Sequence, residues 1–185
     1  VAALRGDREA KEGVVIAKTT ADNKSGIAFC VSCETDFVSK NADFVAFAQS
    51  LGEAAIGANV KSADELNSTT INGAKIADLV NDKLASIGEK IGITKFERID
   101  ADYVASYIHG ANRIGVLVGF NKAAGEAGKD VAMQIPAMNP VAVDSSSVPA
   151  STVERERAIV TEQIKNDPKM AGKPDEMINK IADGK

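Results

Sequence analysis

β-branched apolar runs alternate along the chain with stretches whose apolar residues recur at helical spacing. Val14 to Thr20 and Gly26 to Ser32 read as strands, and Ala21-Asp22-Asn23-Lys24-Ser25 between them supplies turn chemistry, so the pair predicts a hairpin. Phe44, Phe47, Ala48, Leu51 and Ala55 fall on one helical stripe, with Asn41 or Asp43 as the cap. Gly57 to Gly73 is polar and reads as a loop holding a short helical piece. Lys75 to Lys90 carries a second stripe of Ile76, Leu79, Val80, Leu84, Ile87 and Ile91, and Ile93 to Ile99 follows as a strand. Tyr103 to Ile108 and Ile114 to Phe120 make another hairpin about the turn His109-Gly110-Ala111-Asn112-Arg113.

Gly125 to Met138 is expected to hold a short helix that Pro136 ends, and Val141 to Val143 an edge strand. Ser151 to Glu154 has the spacing of a capping box for a charged helix. That helix stops at Asp167-Pro168, and Pro174 suits the first turn of a last one. Val1 to Lys11 reads as a short polar helix stopped by Gly13.

The two hairpins resemble each other, and each leads into a helix. The reading is therefore α+β: two related subdomains, each an antiparallel hairpin packed with helices, plus a helical C-terminal segment. The expected bounds are 1–13 for a helical lead-in, 14–100 and 101–148 for the subdomains, and 149–185 for the tail. Duplicated lobes with separate exposed tips suit a protein that grips a partner at two places.

Length and composition fit this picture. The chain has 185 residues, 44% hydrophobic and 26% charged, enough for a sizeable core. The net charge of -4 shows no basic excess, which argues against direct nucleic-acid or anionic-membrane binding as the main task. No apolar run is long enough for a transmembrane helix, no secretion signal opens the chain, and two cysteines suggest a reducing compartment. Val1 and Lys185 read as the ends of a piece of a longer protein.

Candidate chemistry is sparse. Cys30-Val31-Ser32-Cys33 is a C-x-x-C, the basis of a thiol-disulfide oxidoreductase reading. Residues three apart on a strand point to opposite faces, however, and a zinc site lacks ligands in a chain with two Cys and one His. His109, the only histidine, lies at a hairpin tip with no evident orienting partner. No phosphate-cradling G-x-x-x-x-G-K-[ST] is present. No cofactor, metal or catalytic residue is expected, which favours a binding protein over an enzyme.

One stretch stands out, Cys33-Glu34-Thr35-Asp36-Phe37-Val38-Ser39-Lys40, at a junction between strand and helix. Asp36-Phe37 joins an acid to a large aromatic. From the local pattern the ordinary reading of Phe37 is a hydrophobic staple that ties the following helix to the sheet, a plain structural role. The other reading is an exposed contact for a partner.

This stretch, with Ala42-Asp43-Phe44 and Phe47-Ala48, resembles the signature of the translation elongation factor Ts family, the guanine-nucleotide exchange factors of elongation factor Tu. Ile87-Gly88-Glu89, His109 to Val118, Asp130 to Ile135 and Met138-Asn139-Pro140 agree in the same order. The resemblance implies a core of two related α+β subdomains. It implies that Thr35, Asp36, Phe37 and Val38 meet the nucleotide domain of elongation factor Tu and disturb its magnesium and phosphate site, speeding GDP release. Ile87, Gly88 and His109 would be secondary contacts. A cytoplasmic, bacterial or organellar location and a homodimer or two-to-two complex belong to the same expectation. Against the family pattern, Gln134 stands where many members have His, and Pro136 where Ala is usual. The chain reads as starting after the family's N-terminal three-helix module and stopping within its C-terminal helical module.

Overall fold

A computed structural model describes residues 8–170 and 172–184. The chain divides into two compact units, Val1–Met138 and Asn139–Lys185. The boundary expected near 148 thus falls inside the second unit. The helix expected over Val1 to Lys11 lies largely on residues outside the described ones. Residues 8–11 carry no helix, and the first strand already starts at Glu12.

The first unit holds two antiparallel layers. Strands β1 (Glu12–Thr19), β2 (Ser25–Cys33) and β5 (Gly92–Asp100) form one sheet with β2 in the middle. β1 and β2 pair in register from Glu12↔Cys33 to Thr19↔Gly26. Side chains at alternate positions of β2 go inward, so Ile27, Phe29, Val31 and Cys33 are all buried. A bulge interrupts the β2–β5 ladder, where Lys95 (φ 54°) and Phe96 of β5 oppose Phe29 alone. It turns the Phe96 ring onto that of Phe29, with centroids 5.9 Å apart and planes 18° from parallel.

Helix α2 (Ala42–Gly57) covers this sheet with the expected stripe. Phe44, Ala48, Leu51 and Ala55 are buried, while Phe47 is half-buried beneath the Lys83 ammonium, 5.4 Å from its centroid. The polar stretch between helices holds α3 (Ala63–Ser68) and a two-stranded ribbon, β3 (Thr70–Ile71) with β4 (Ala74–Lys75). Helix α4 (Ile76–Ile87) adds Ile76, Val80 and Leu84 to the core.

Strands β6 (Tyr103–His109) and β7 (Ile114–Phe120) make the second hairpin, backed by α5 (Gly125–Met138) over a smaller core of Ala105, Val116 and Ala132. Contrary to expectation, Pro136 lies inside α5. Only two helical residues follow it, so its ring removes one bond near the helix end and breaks nothing beyond.

The hairpins are tied at both ends. Val15 N–H donates to Asn112 O at 2.8 Å, and Val104 N–H to Asn23 O at 2.6 Å. Between those ties glycine backbone on one layer meets valine side chains on the other. A Cβ built on Gly115 would lie 2.6 Å from Val15 Cγ1, and one on Gly26 would lie 2.8 Å from Val104 Cγ1.

The second unit contains α6 (Ala150–Asn166) and α7 (Asp175–Asp183), which bury Ile164 and Ile178 and share an Arg157–Asp183 ion pair at 2.6 Å. Two local expectations change. Val141 to Val143 forms no strand. The cap of α6 is Pro149, without a side-chain bond, so Ser151 lies within the helix rather than before it. Asp167, with ψ 119°, ends α6 before Pro168 as expected.

Candidate functional site

The conspicuous stretch folds as a one-turn helix of its own, α1 (Asp36–Ser39). Thr35 is its N-cap, and its Oγ1 accepts from Val38 N–H at 3.4 Å. Asn41 then caps α2 separately, accepting from Asp43 and Phe44 N–H at 2.9 and 3.2 Å. Asn41 has extended backbone (ψ 128°), so the two helices are not continuous. This break turns Phe37 away from the stripe that Phe44 begins. Phe37 is 85% exposed, whereas Phe44 is 1% exposed. The staple reading and the plain core reading of Phe37 are therefore overturned.

The neighbours of Phe37 anchor it. Val38 is half-buried against the main core, as is Ile87 at the end of α4. Both line a shallow pocket of about 350 Å³ with Phe37, Asn41, Asp43, Phe44 and Lys83. Asp36 pairs with Lys40 one turn on, at 2.7 Å. The Lys40 bond and charge, and more weakly the positive charge of Arg113, hold the Asp36 carboxyl below the usual carboxylate range.

Behind the turn, two glutamates join it to the end of α4. Glu89 Oε2 accepts from Glu34 N–H at 2.9 Å and from Thr35 N–H at 3.1 Å, and Glu89 Oε1 accepts from the Thr35 hydroxyl at 2.6 Å. In return Glu34 Oε1 accepts from Lys90 N–H at 2.6 Å. Arg8 reaches the same carboxylate at 3.2 Å, and Lys90 Nζ donates to Arg8 O. Gly88 makes this approach feasible. It ends α4 in the left-handed region (φ 85°), which turns the chain back toward α1. Gly88→Ala is expected to cost about 1 kcal/mol in urea unfolding through the strained φ, and Gly88→Asn less.

His109 ends β6, exposed, with Nδ1 3.1 Å from the Tyr107 hydroxyl. It shares an end of the unit with α1. The adjacent turn is tied to β1 through Asn112, Arg113 pairs with Glu12 at 3.5 Å, and Glu12 lies opposite Cys33 at the end of β2. Thr35 to Val38 and Ile87-Gly88 thus form one cluster, and His109 is a separate projection on the same end. Sequence reasoning named Glu89 only within a matched motif and passed over the role of Glu34. Contacts this far apart in the chain leave no periodic trace.

The C-x-x-C does not form a redox pair. Cys33 is fully buried in the main core. Cys30 sits on the other face of β2, beside Glu12, Gly13 and Lys95. Burial, helped by the nearby Glu89 charge, pushes the Cys33 thiol up to about 12, and burial also raises that of Cys30. Both are therefore poor sources of the reactive thiolate. Ellman's reagent is expected to leave Cys33 untouched in the native chain and to titrate it on unfolding. Among the described residues, no group of three or more His, Cys, Asp or Glu side chains is placed to hold a metal ion, and no helix is long and apolar enough to cross a membrane.

Such a chain is an α+β scaffold that displays a rigid acidic-aromatic turn on its surface. The family model described as "Elongation factor TS" matches residues 34–185. Elongation factor Ts of Christiangramia forsetii is 40% identical over 188 aligned residues, and that of Flavobacterium psychrophilum 42%. Each match covers 100% of this chain and 66% of the relative. Elongation factor Ts of Halorhodospira halophila is 36% identical, covering 98% of this chain and 61% of its own length. The chain belongs to the elongation factor Ts family and spans just under two thirds of the length of the first two relatives.

Proposed function

We propose that this chain binds the GTPase elongation factor Tu and speeds release of its GDP, with the Asp36-Phe37 turn entering the nucleotide domain. The observation that carries the reading is the Phe37 side chain, 85% exposed on a helical turn capped by Thr35 and backed by Glu89. Large aromatics held at a defined surface position are a residue type that anchors protein interfaces, and this one sits in the stretch that matches the family signature.

No covalent step is required. A factor that binds the nucleotide-free GTPase better than its GDP form lowers GDP affinity by the same factor, because coupling is reciprocal. Burying one Phe is worth about 1.5–3 kcal/mol, and each 1.4 kcal/mol of coupling is about tenfold in nucleotide affinity. Magnesium bridges the GDP phosphates to the GTPase, so an acid and a ring pressed against its surroundings loosen the nucleotide. In this reading Thr35 and Val38 hold the turn, while Ile87, Gly88 and His109 touch the partner around it. The bacterial relatives fit a cytoplasmic setting.

The test is release of a fluorescent GDP analogue from elongation factor Tu, with and without the full chain in excess. Acceleration that saturates with chain concentration supports the reading. Binding without acceleration would reduce the chain to an interaction module.

A further inference from the structure

We propose that Glu89 is the positioning residue of the Asp36-Phe37 turn: its carboxylate, delivered from the end of α4, sets the direction in which Phe37 projects. The inference rests on the exchange reading above for its functional consequence, and on the geometry alone for its structural one.

The argument begins with Thr35. As an N-cap its hydroxyl oxygen must accept from Val38 N–H, which requires one rotamer. That hydroxyl has one proton, and here the proton goes to Glu89 Oε1 at 2.6 Å while the oxygen accepts from Val38. The other Glu89 oxygen takes the N–H groups of Glu34 and Thr35. Three donors on one carboxylate thus fix the backbone entering the turn and the rotamer that closes it, all by charge-assisted bonds. The Glu34 carboxylate returns the contact to Lys90 N–H, so the two connections are buttoned in both directions.

Glu89 itself is held firmly. It follows α4, which is anchored by Ile76, Val80 and Leu84, across the left-handed Gly88. Phe37 has no comparable packing of its own. What orients it is the first turn of α1, and the donors at the start of that turn bond to Glu89. A Gln here keeps one oxygen for the two N–H groups, but it puts an amide donor where the Thr35 hydroxyl needs an acceptor and removes the charge that strengthens all three bonds. Glu89→Gln therefore preserves size and is expected to weaken the clasp less than Glu89→Ala.

The experiment uses the full chain as wild type, Glu89→Ala, Glu89→Gln and Phe37→Ala, and the double variant Phe37→Ala/Glu89→Ala. In the free chain, amide hydrogen exchange at Glu34, Thr35 and Val38 is expected to quicken in both Glu89 variants, with Ala48 and Leu51 in α2 unchanged. With elongation factor Tu, the maximal rate of GDP release at saturating chain is expected to fall about tenfold in Glu89→Ala, with a smaller change in half-saturating concentration. In the Phe37→Ala background the same substitution is expected to add little, because Glu89 acts through Phe37.

A Glu89→Ala effect of equal size with and without Phe37 would mean plain structural support and would overturn the proposal. So would a maximal rate unchanged from wild type. If Glu89→Ala does not fold, Glu89→Gln decides by the same readouts. If wild type itself fails to accelerate release, the exchange reading falls, and the amide exchange judges the geometry alone: unchanged protection at Glu34 and Thr35 overturns it.

Discussion

Asp36→Ala/Phe37→Ala is expected to reduce the acceleration of GDP release from elongation factor Tu at least about tenfold while leaving the fold intact. The size of the loss follows from the ring. In the free chain Phe37 keeps 85% of its surface in water, so almost all of its apolar burial remains to be gained in a complex. Full burial is worth about 1.5–3 kcal/mol, or about ten- to a hundredfold if that energy is spent on displacing the nucleotide. Asp36 adds a charge already ionised at neutral pH and steadied by Lys40. Neither side chain supports the core, so stability should shift by less than about 0.5 kcal/mol. Stopped-flow release of labelled GDP gives the rate, and far-ultraviolet circular dichroism with a urea titration gives the stability. A loss of under about twofold would move the principal contact elsewhere on the surface, since it is far below one buried ring.

Phe44→Ala, seven residues further on, is expected to do the reverse. Phe44 is 1% exposed in the main core, and deleting its ring removes the transfer energy and leaves a cavity, costing about 3–5 kcal/mol. That is a large part of the roughly 5–15 kcal/mol that holds a domain together. Phe29→Ala should cost a similar amount, because Phe29 is equally buried and loses its stack on Phe96. Urea midpoints for the three alanine variants should place Phe37→Ala beside wild type and the other two far below it. A Phe37→Ala midpoint as low as that of Phe44→Ala would make Phe37 a core residue.

The contrast between these phenylalanines also marks how much of the molecule was legible in the sequence. Strand alternation and the helical stripe are properties of neighbours in the chain, and they place both hairpins and the buried face of α2 correctly. Phe37 and Phe44 are one heptad apart, so an unbroken helix would put them on the same stripe, and the local pattern favours a staple. What separates them is a second cap, Asn41 bonded to Asp43 and Phe44 six residues after Thr35 caps α1, a break that periodicity does not resolve. The Glu34 and Glu89 contacts span some 55 residues and involve polar side chains with no repeat, so only the folded chain reveals them. The ribbon of β3 and β4 has two residues per strand, too short to carry any pattern. The family resemblance brought Thr35 to Val38, Ile87, Gly88 and His109 forward together. The structure adds why the first six cluster around one pocket and one clasp while His109 stands apart.

The glycine-lined contact between the two hairpins makes the first unit behave like a pair of calipers locked at one setting. Phe37 rides on the layer that contains β1, and His109 on the layer that contains Gly115. The gap between the layers is closed where Gly26 and Gly115 admit the Val104 and Val15 side chains, and it is pinned by bonds at both ends. Side chains at either jaw can therefore be exchanged without altering the reach between them. A single methyl group at Gly115, which lies opposite Ile108 and against Val15, would force the setting open. A surface that binds this end of the molecule has to match a fixed span.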